Sequence, residues 1–324
     1  MRRAVATSIA LESPESVIAV QEVDDPAPKD GWVEVEVRAT SLNQHDLWAI
    51  KGVGVEPDAF PLGLGSDVAG VTADGREVIV HSLVTDPDRA AAAGGELLAP
   101  GRVMLAEASG GGAAERVLVP ARNLVDKPAN TTFAEAAGLP TAWLTAYHML
   151  FRKACLAPGS TVLVQGAGGG VATAAIALAA HSGMRVWVTG RDASRLEAAS
   201  GLGAERVFPS GTRLPERVDA VIETVGAATW SHSMRSVRPG GVIVVAGATT
   251  GGEVTFDLNR VFLQHVSILG SSLGTVDDLR ALASWVRTTG VKPVVDSIHP
   301  LDDAATAVAR LASGDAIGKV VISV

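Results

Sequence analysis

A chain of 324 residues with 47% hydrophobic and 19% charged side chains can bury a large core and is not a disordered polymer. Its formal net charge of -8 argues against a nucleic-acid footprint. Its single cysteine, Cys155, excludes an intrachain disulfide and a cysteine-built structural zinc site. The opening MRRAVATSIALESPE is interrupted by Ser8 and Glu12, so it reads as a first strand and not as a signal peptide. The apolar run Ala172–Ala180 is too short to span a bilayer. A soluble, cytoplasmic protein is the expectation.

The first part of the chain is strand-rich. Val17–Val20, Val33–Ala39, Val68–Val71, Glu77–Val80 and Glu115–Val119 read as short strands, with Pro26, Pro28 and Gly31 breaking the chain between the first two. WVEVEVRA alternates apolar and polar residues and predicts a half-buried strand. The texture changes after Pro128. Thr132–Leu139 and Leu144–Ala154 read as helices, and a βα rhythm follows. Its strands are Thr161–Gln165, Arg185–Thr189, Glu205–Phe208, Val218–Ile222, Val242–Ala246 and Val266–Leu269. Helices Val171–Ser182, Ser194–Ser200 and Trp230–Val237 lie between them. Six short apolar strands joined by helices predict a parallel six-stranded sheet of α/β class. Helix Val276–Thr288, strand Val294–Ile298, helix Asp302–Leu311 and strand Lys319–Val324 lie beyond that sheet and are free to return to the first domain.

TVLVQGAGGGVATAAIALAA, from Thr161 to Ala180, runs an apolar strand through a glycine turn into a small-residue helix. This arrangement brings a pyrophosphate onto backbone N–H groups at a helix start. Gly166 makes the tight turn and Gly168 lets a phosphate approach, with Gly169 and Gly170 following; the last glycine of the usual pattern is Val171. The second strand ends near Thr189, followed by Gly190, Arg191 and, further on, Arg195. Arginine there pairs with a 2′-phosphate and favours NADPH. Two alternatives stay open: Asp192 as the acidic residue that selects NADH, and Arg191-Asp192 as a solvated loop. Gly226, Gly247 and Ala248 follow later strands and leave room for a dinucleotide at the sheet's carboxyl edge.

SLNQHDLW at Ser41–Trp48, PLGLGSDVAG at Pro61–Gly70, GGAAERVLVP, LPTAWLTAYH, VQGAGGGVATAA, VIETVG, GSSLG at Gly270–Gly274 and GKVVISV at Gly318–Val324 occur in one order along nearly the whole chain. In that order the sequence resembles the medium-chain dehydrogenase/reductase superfamily, in its zinc-free quinone-oxidoreductase-like branch. The resemblance implies a GroES-like β domain over 1–125 completed by 268–324, and a Rossmann domain over 126–267. It places the active site in the cleft between them and implies a homodimer, with Val261–Leu269 either in its interface or a buried edge strand in a monomer.

Where zinc-using members carry Cys, His and Cys ligands, this chain has Asn43, Ser66 and approximately Thr141. His45, Asp46, Asp67 and His81 bind metals in other settings, but their spacing matches no local signature, and no metal is expected. Without zinc a simple ketone is not polarised, so electrophilic quinones or α,β-unsaturated carbonyls are favoured as acceptors. The resemblance places Asn43 and Thr145 at the reacting end and against the nicotinamide, and Ser66 at the former zinc-histidine position. Ser271, Ser272 and Leu273 would flank the nicotinamide, and Lys319 would reach the pyrophosphate. Asn43 as a loop cap and Lys319 as a solvated strand-start charge are the plainer alternatives. Trp48, Phe60 and Trp143 are either walls for a flat substrate or domain core. The expected activity is NADPH-dependent hydride transfer to a quinone or enone. A zinc-independent alcohol or carbonyl dehydrogenase and a non-enzymatic NADPH-binding regulatory or structural protein are the other readings.

Overall fold

The computed structural model describes residues 1–324, and the chain folds as two compact units: Met1–Ala142 with Thr275–Val324, and Trp143–Gly274. The units part later in the chain than 125/126 and 267/268. Residues 126–142 stay with the first unit because Ser41 Oγ donates to the Ala137 carbonyl at 2.8 Å and Asn130 Nδ2 to the Val286 carbonyl at 3.1 Å. Residues up to Gly274 stay with the second because strand Ser267–Gly270 pairs in its sheet.

In the first unit, strand Trp32–Ser41 is the spine of a seven-stranded sheet. It pairs with Asp67–Thr72 along its second half and with Arg116–Pro120 along its first. Its alternation works as predicted: Val35 and Val37 are buried, while Glu34 and Glu36 face outward. The last strand, Lys319–Ser323, lies antiparallel to it with Val321 opposite Ser41, and parallel to Val295–Pro300. The C-terminal segment is thereby built into the N-terminal sheet, and Lys319 arrives beside Leu42 and Asn43. Helix Gln44–Ile50, which the sequence pattern did not announce, starts at Asn43 and packs Leu47 and Ile50 against Leu42, Leu64, Val308 and Ile322.

The second unit is a six-stranded parallel sheet in the order Arg206–Pro209, Arg185–Gly190, Thr161–Gln165, Val218–Glu223, Val237–Val245, Ser267–Gly270. This is the Rossmann order, with its switch point beside Thr161–Gln165. Consecutive residues Val162, Leu163 and Val164 are all buried, so both faces of the central strand are covered. Every residue from Ala172 to Ala179 in helix Gly170–His181 is also buried, which explains its small side chains on all sides. The expected regular helix over Leu144–Ala154 is instead a short α segment, Leu144–Tyr147, between wider π turns at Leu139–Trp143 and His148–Lys153. The helix expected at Trp230–Val237 runs over Ala227–Ser236, and Val237 already begins the next strand. No helix is long and apolar enough to cross a membrane among the described residues.

Candidate active site

The glycine turn has the geometry its sequence requires. Gly166 sits at φ +87°, a left-handed conformation open to glycine at little cost. Gly169 caps helix Gly170–His181 without any side chain on its first N–H groups, and a Cβ built on Gly169 would meet nothing within 4 Å. An unobstructed helix start carrying free N–H groups and the positive end of the helix dipole fits a pyrophosphate. Gly168, Gly170 and Val171 complete the turn, with Val171 inside the helix's first turn. At Gly190 a Cβ would stand 3.0 Å from Leu196 Cδ2 and 3.3 Å from Ala167 Cβ, so this strand end is pressed against the turn and the next helix.

Asp192 caps helix Ala193–Gly201. Its carboxylate accepts from Ser194 Oγ at 2.6 Å and from the Arg195 N–H at 3.0 Å, and these bonds hold its pKa below the usual range. The acidic group after the strand end thus caps its own helix through one carboxylate oxygen, Oδ1. Arg191 beside it is exposed, and Arg195 lies half-buried in the first turn.

Below the carboxyl edge lies a buried polar network that the apolar reading of the strands did not reveal. Glu223 accepts from Val225 N at 2.8 Å, Gly226 N at 3.1 Å, Thr229 Oγ1 at 2.9 Å and Ser233 Oγ at 2.6 Å. Gln165 Nε2 donates to Ser233 Oγ at 2.9 Å, and Thr189 Oγ1 donates to Gln165 Oε1. Together they fix the turn through Gly226, where Gly251 and Ala248 approach too closely for a side chain. A Cβ at Gly247 would stand 3.0 Å from the Thr224 carbonyl oxygen, with Ala248 next in the chain. The signal in the sequence was a polar residue at or next to the carboxyl end of three strands: Gln165, Thr189 and Glu223.

The remaining residues expected in this unit are less uniform. Thr145 is buried in Leu144–Tyr147. Ser271 has a buried hydroxyl with no hydrogen-bond partner among the described residues, Ser272 is exposed, and Leu273 adopts φ +53°. Trp143 is fully buried and packs in the core instead of walling a substrate, whereas Trp48 is partly exposed.

In the first unit a second constellation forms around Asp67, which is fully buried. Its Oδ2 accepts from Ser41 Oγ at 2.6 Å and Asn43 Nδ2 at 3.0 Å, and Lys319 Nζ stands 3.3 Å away. Its Oδ1 accepts from Ser82 Oγ at 3.2 Å, and Thr141 Oγ1 donates to Ser82 Oγ at 3.0 Å. Lys319 also donates to the Leu42 carbonyl at 2.8 Å and to Asn43 Oδ1 at 2.5 Å. Lys319 therefore does not reach out to a pyrophosphate. Its strand start faces inward, and burial commits its ammonium to three oxygens of its own unit. Asn43 is gripped from both ends of its amide, by Lys319 and by Asp67. Ser66 is buried with its hydroxyl unpartnered among the described residues.

Asp46, buried at the start of helix Gln44–Ile50, accepts from the N–H groups of Asn43 and Gly65, both at 2.8 Å. Burial pushes its pKa up against those bonds. The position of Asn43 thus depends on three buried ionisable groups, Asp46, Asp67 and Lys319.

This donor set does not suit zinc. The positions that the resemblance gives to zinc ligands hold an amide and two hydroxyls, Asn43, Ser66 and approximately Thr141, and among the described residues no three His, Cys, Asp or Glu side chains converge on a common point.

His45 Nε2 lies 3.3 Å from Glu107 Oε1. The pair raises the His45 pKa above 6.5 and lowers that of Glu107 below 4.5. Its stabilisation is complete between those values. It is lost as pH rises through the raised histidine pKa, or falls through the depressed glutamate pKa. Both side chains are about a third exposed, so the contribution is about 0.5 kcal/mol. His45→Gln is expected to lower the unfolding midpoint slightly at pH 5.5 and not at pH 9, as read from urea titrations at both values.

Two family models match the chain: an alcohol dehydrogenase GroES-like domain over residues 29–129 and a zinc-binding dehydrogenase domain over 170–288. A solved NAD-dependent alcohol dehydrogenase is 33% identical, with a TM-score of 0.92 and full coverage of both chains. A solved 2-octenoyl-CoA carboxylase reductase in complex with NADP and 2-octenoyl-CoA is 25% identical, with a TM-score of 0.90, covering 99% of this chain and 87% of that one. The human quinone oxidoreductase is 26% identical over 95% of this chain and 94% of its own. The chain belongs to the medium-chain dehydrogenase/reductase superfamily, in its quinone-oxidoreductase-like branch. It is an oxidoreductase of that family, whose members use a nicotinamide cofactor.

Proposed function

We propose that this protein is an NADPH-dependent reductase that delivers hydride to a quinone or an α,β-unsaturated carbonyl without zinc. The observation that carries the reading is the replacement of the family's zinc ligands by Asn43, Ser66 and Thr141, with the Lys319 ammonium bonded to Asn43 and paired with Asp67. The relatives support it, since they include a quinone oxidoreductase and a 2-octenoyl-CoA carboxylase reductase in complex with NADP and 2-octenoyl-CoA.

The bound cofactor supplies the hydride. Gly166, Gly168, Gly169, Gly170 and Val171 receive its pyrophosphate, and Gly190 lets it lie close to the sheet. Arg191 and Arg195 hold the 2′-phosphate. Gly226, Gly247 and Ala248 leave space along the edge, and Thr145, Ser271, Ser272 and Leu273 border the nicotinamide. As hydride adds to the acceptor, charge grows on its oxygen. Ser66, whose hydroxyl has no partner among the described residues, would meet it, and Asn43, held by Lys319 and Asp67, would lie at the same reacting end.

The test is anaerobic oxidation of NADPH by chelator-treated protein with a panel of enones and quinones. Turnover that survives chelation supports the reading, and turnover confined to simple aldehydes would overturn it. A second reading, a zinc-independent alcohol or carbonyl dehydrogenase, draws on the name of the 33% identical structure.

We also propose that the protein is a homodimer joined through Val261–Leu269. Strand Ser267–Gly270 ends its sheet with one edge unpaired, and helix Leu258–Leu263 exposes Leu258, Phe262 and Leu263 beside it. Phe262→Glu is expected to shift sedimentation from dimer to monomer. A monomeric parent protein would contradict the proposal.

A further inference from the structure

Two helices that start at the carboxyl edge of the parallel sheet have their first N–H groups disposed in opposite ways. Helix Gly170–His181 opens behind Gly169 with no side chain on its first donors. Helix Ala227–Ser236 has its first donors satisfied by the chain itself: Ala227 N donates to the Gly251 carbonyl at 3.1 Å and Ala228 N to Thr250 Oγ1 at 3.0 Å. Just before it, Val225 N and Gly226 N both donate to Glu223 Oε1, and so does Thr229 Oγ1 from the first turn. Glu223 Oε2 accepts from Ser233 Oγ at 2.6 Å, one turn further on. A carboxylate of the protein thus fills the place where an anion would sit at this second helix start. A pyrophosphate has one helix start open to it and not two.

Glu223 is fully buried, and all the partners of its carboxylate are hydrogen-bond donors. Packing alone would be served as well by an apolar side chain of that size. The turn it holds is joined to the loop after the next strand. Ala246 N donates to the Glu223 carbonyl at 3.0 Å, and Thr250 N to the Val225 carbonyl at 2.8 Å. That loop carries Gly247 and Ala248, and Gly226 lies too close to Ala248 and Gly251 for a side chain. On the other side, Ser233 Oγ accepts from Gln165 Nε2 at 2.9 Å, and Gln165 Oε1 accepts from Thr189, the residue before Gly190. One carboxylate therefore ties two loops of this edge to the ends of three strands.

We propose that Glu223 is a positioning residue for the dinucleotide. It does not touch the cofactor; it holds Val225 and Gly226, and through them Gly247 and Ala248, in the shape the cofactor meets. The proposal rests on the placement of the dinucleotide along this edge. Without the carboxylate the turn visits other shapes, and apparent affinity falls by the fraction of time spent in the competent one. NADPH and NADH are identical in the part that passes this turn, so both lose equally. The group that separates them, the 2′-phosphate, lies at Arg191 after a different strand.

Fluorescence titration of both cofactors tests the proposal, together with amide hydrogen exchange of the ligand-free protein. In Glu223→Ala, exchange at the Val225 and Gly226 amides is expected to quicken by about tenfold or more, since both lose their acceptor. The Kd values for NADPH and NADH are expected to rise together by about tenfold or more. Glu223→Gln keeps an oxygen for the two N–H groups and is expected to restore both affinities to within about threefold of the parent. Thr229→Val removes one donor at nearly constant volume and decides the matter if Glu223→Ala does not fold; it is expected to weaken both cofactors by about threefold. Affinities unchanged in every variant that folds would overturn the proposal, because a merely structural carboxylate lowers stability and leaves the Kd of the folded protein alone. A loss confined to NADPH would overturn it as well. A parent protein that binds neither cofactor would overturn the placement of the dinucleotide, and the exchange rates would still decide whether Glu223 holds the turn.

Discussion

Lys319→Met is expected to destabilise the unit containing Met1–Ala142 and Thr275–Val324 by about 3–5 kcal/mol at neutral pH. The methionine fills much of the same volume, so packing is nearly conserved and the cost is electrostatic. It leaves Asp67 fully buried without its cation, and it also strips a donor from the Leu42 carbonyl and from Asn43 Oδ1. The hydroxyls of Ser41 and Ser82 and the Asn43 amide remain, but neutral donors do not replace a charge in a low-dielectric interior. Adding Asp67→Asn to Lys319→Met is expected to recover part of the loss, because the orphaned charge then disappears. Urea unfolding of the parent, both single variants and the double variant gives the coupling between the two sites. The two units need not unfold together, so the transition of the first is the one to follow. A Lys319→Met loss below about 1 kcal/mol would mean that the ammonium is not what balances Asp67.

Arg191→Ala is expected to weaken NADPH binding by about 10- to 150-fold while leaving NADH binding within about threefold, the worth of a charge-assisted contact of about 1.5–3 kcal/mol. The prediction rests on a competition that the structure makes concrete. Asp192 is the only acidic residue immediately after Gly190, and its carboxylate is already bonded to Ser194 and to the Arg195 N–H. Both bonds use Oδ1, so the cap fixes the direction of the carboxylate at the helix start. Arg191 is exposed and costs little to engage. Equal losses for the two cofactors, measured by fluorescence titration, would remove its assigned role. Tighter NADH than NADPH binding by the parent would reverse the preference outright.

The second unit was legible because its signals are local. The turn at Gly166–Val171 lies between a strand and a helix that are adjacent in sequence, and the apolar strands announce a sheet buried on both faces. The constellation in the first unit was not legible for the opposite reason. Lys319 meets Leu42 and Asn43 across 277 and 276 residues, and no periodicity reports such a pairing. The same lysine at a strand start reads equally well as a solvated charge. Its burial follows only once Lys319–Ser323 is known to pair with Trp32–Ser41. Ser82 and Thr141 carry no motif of their own and become notable through their distances. Helices Gln44–Ile50 and Leu258–Leu263, seven and six residues long, are too short to develop a period.

In the proposed reaction, hydride transfer to an electrophilic acceptor proceeds without a metal. Its most direct test is steady-state oxidation of NADPH and NADH by exhaustively chelated protein, with quinones, enones and saturated aldehydes offered in parallel under anaerobic conditions. NADPH-dependent turnover of quinones or enones that neither chelation nor added zinc changes is the expected result. Turnover that falls with chelation and returns with one zinc per chain would contradict it.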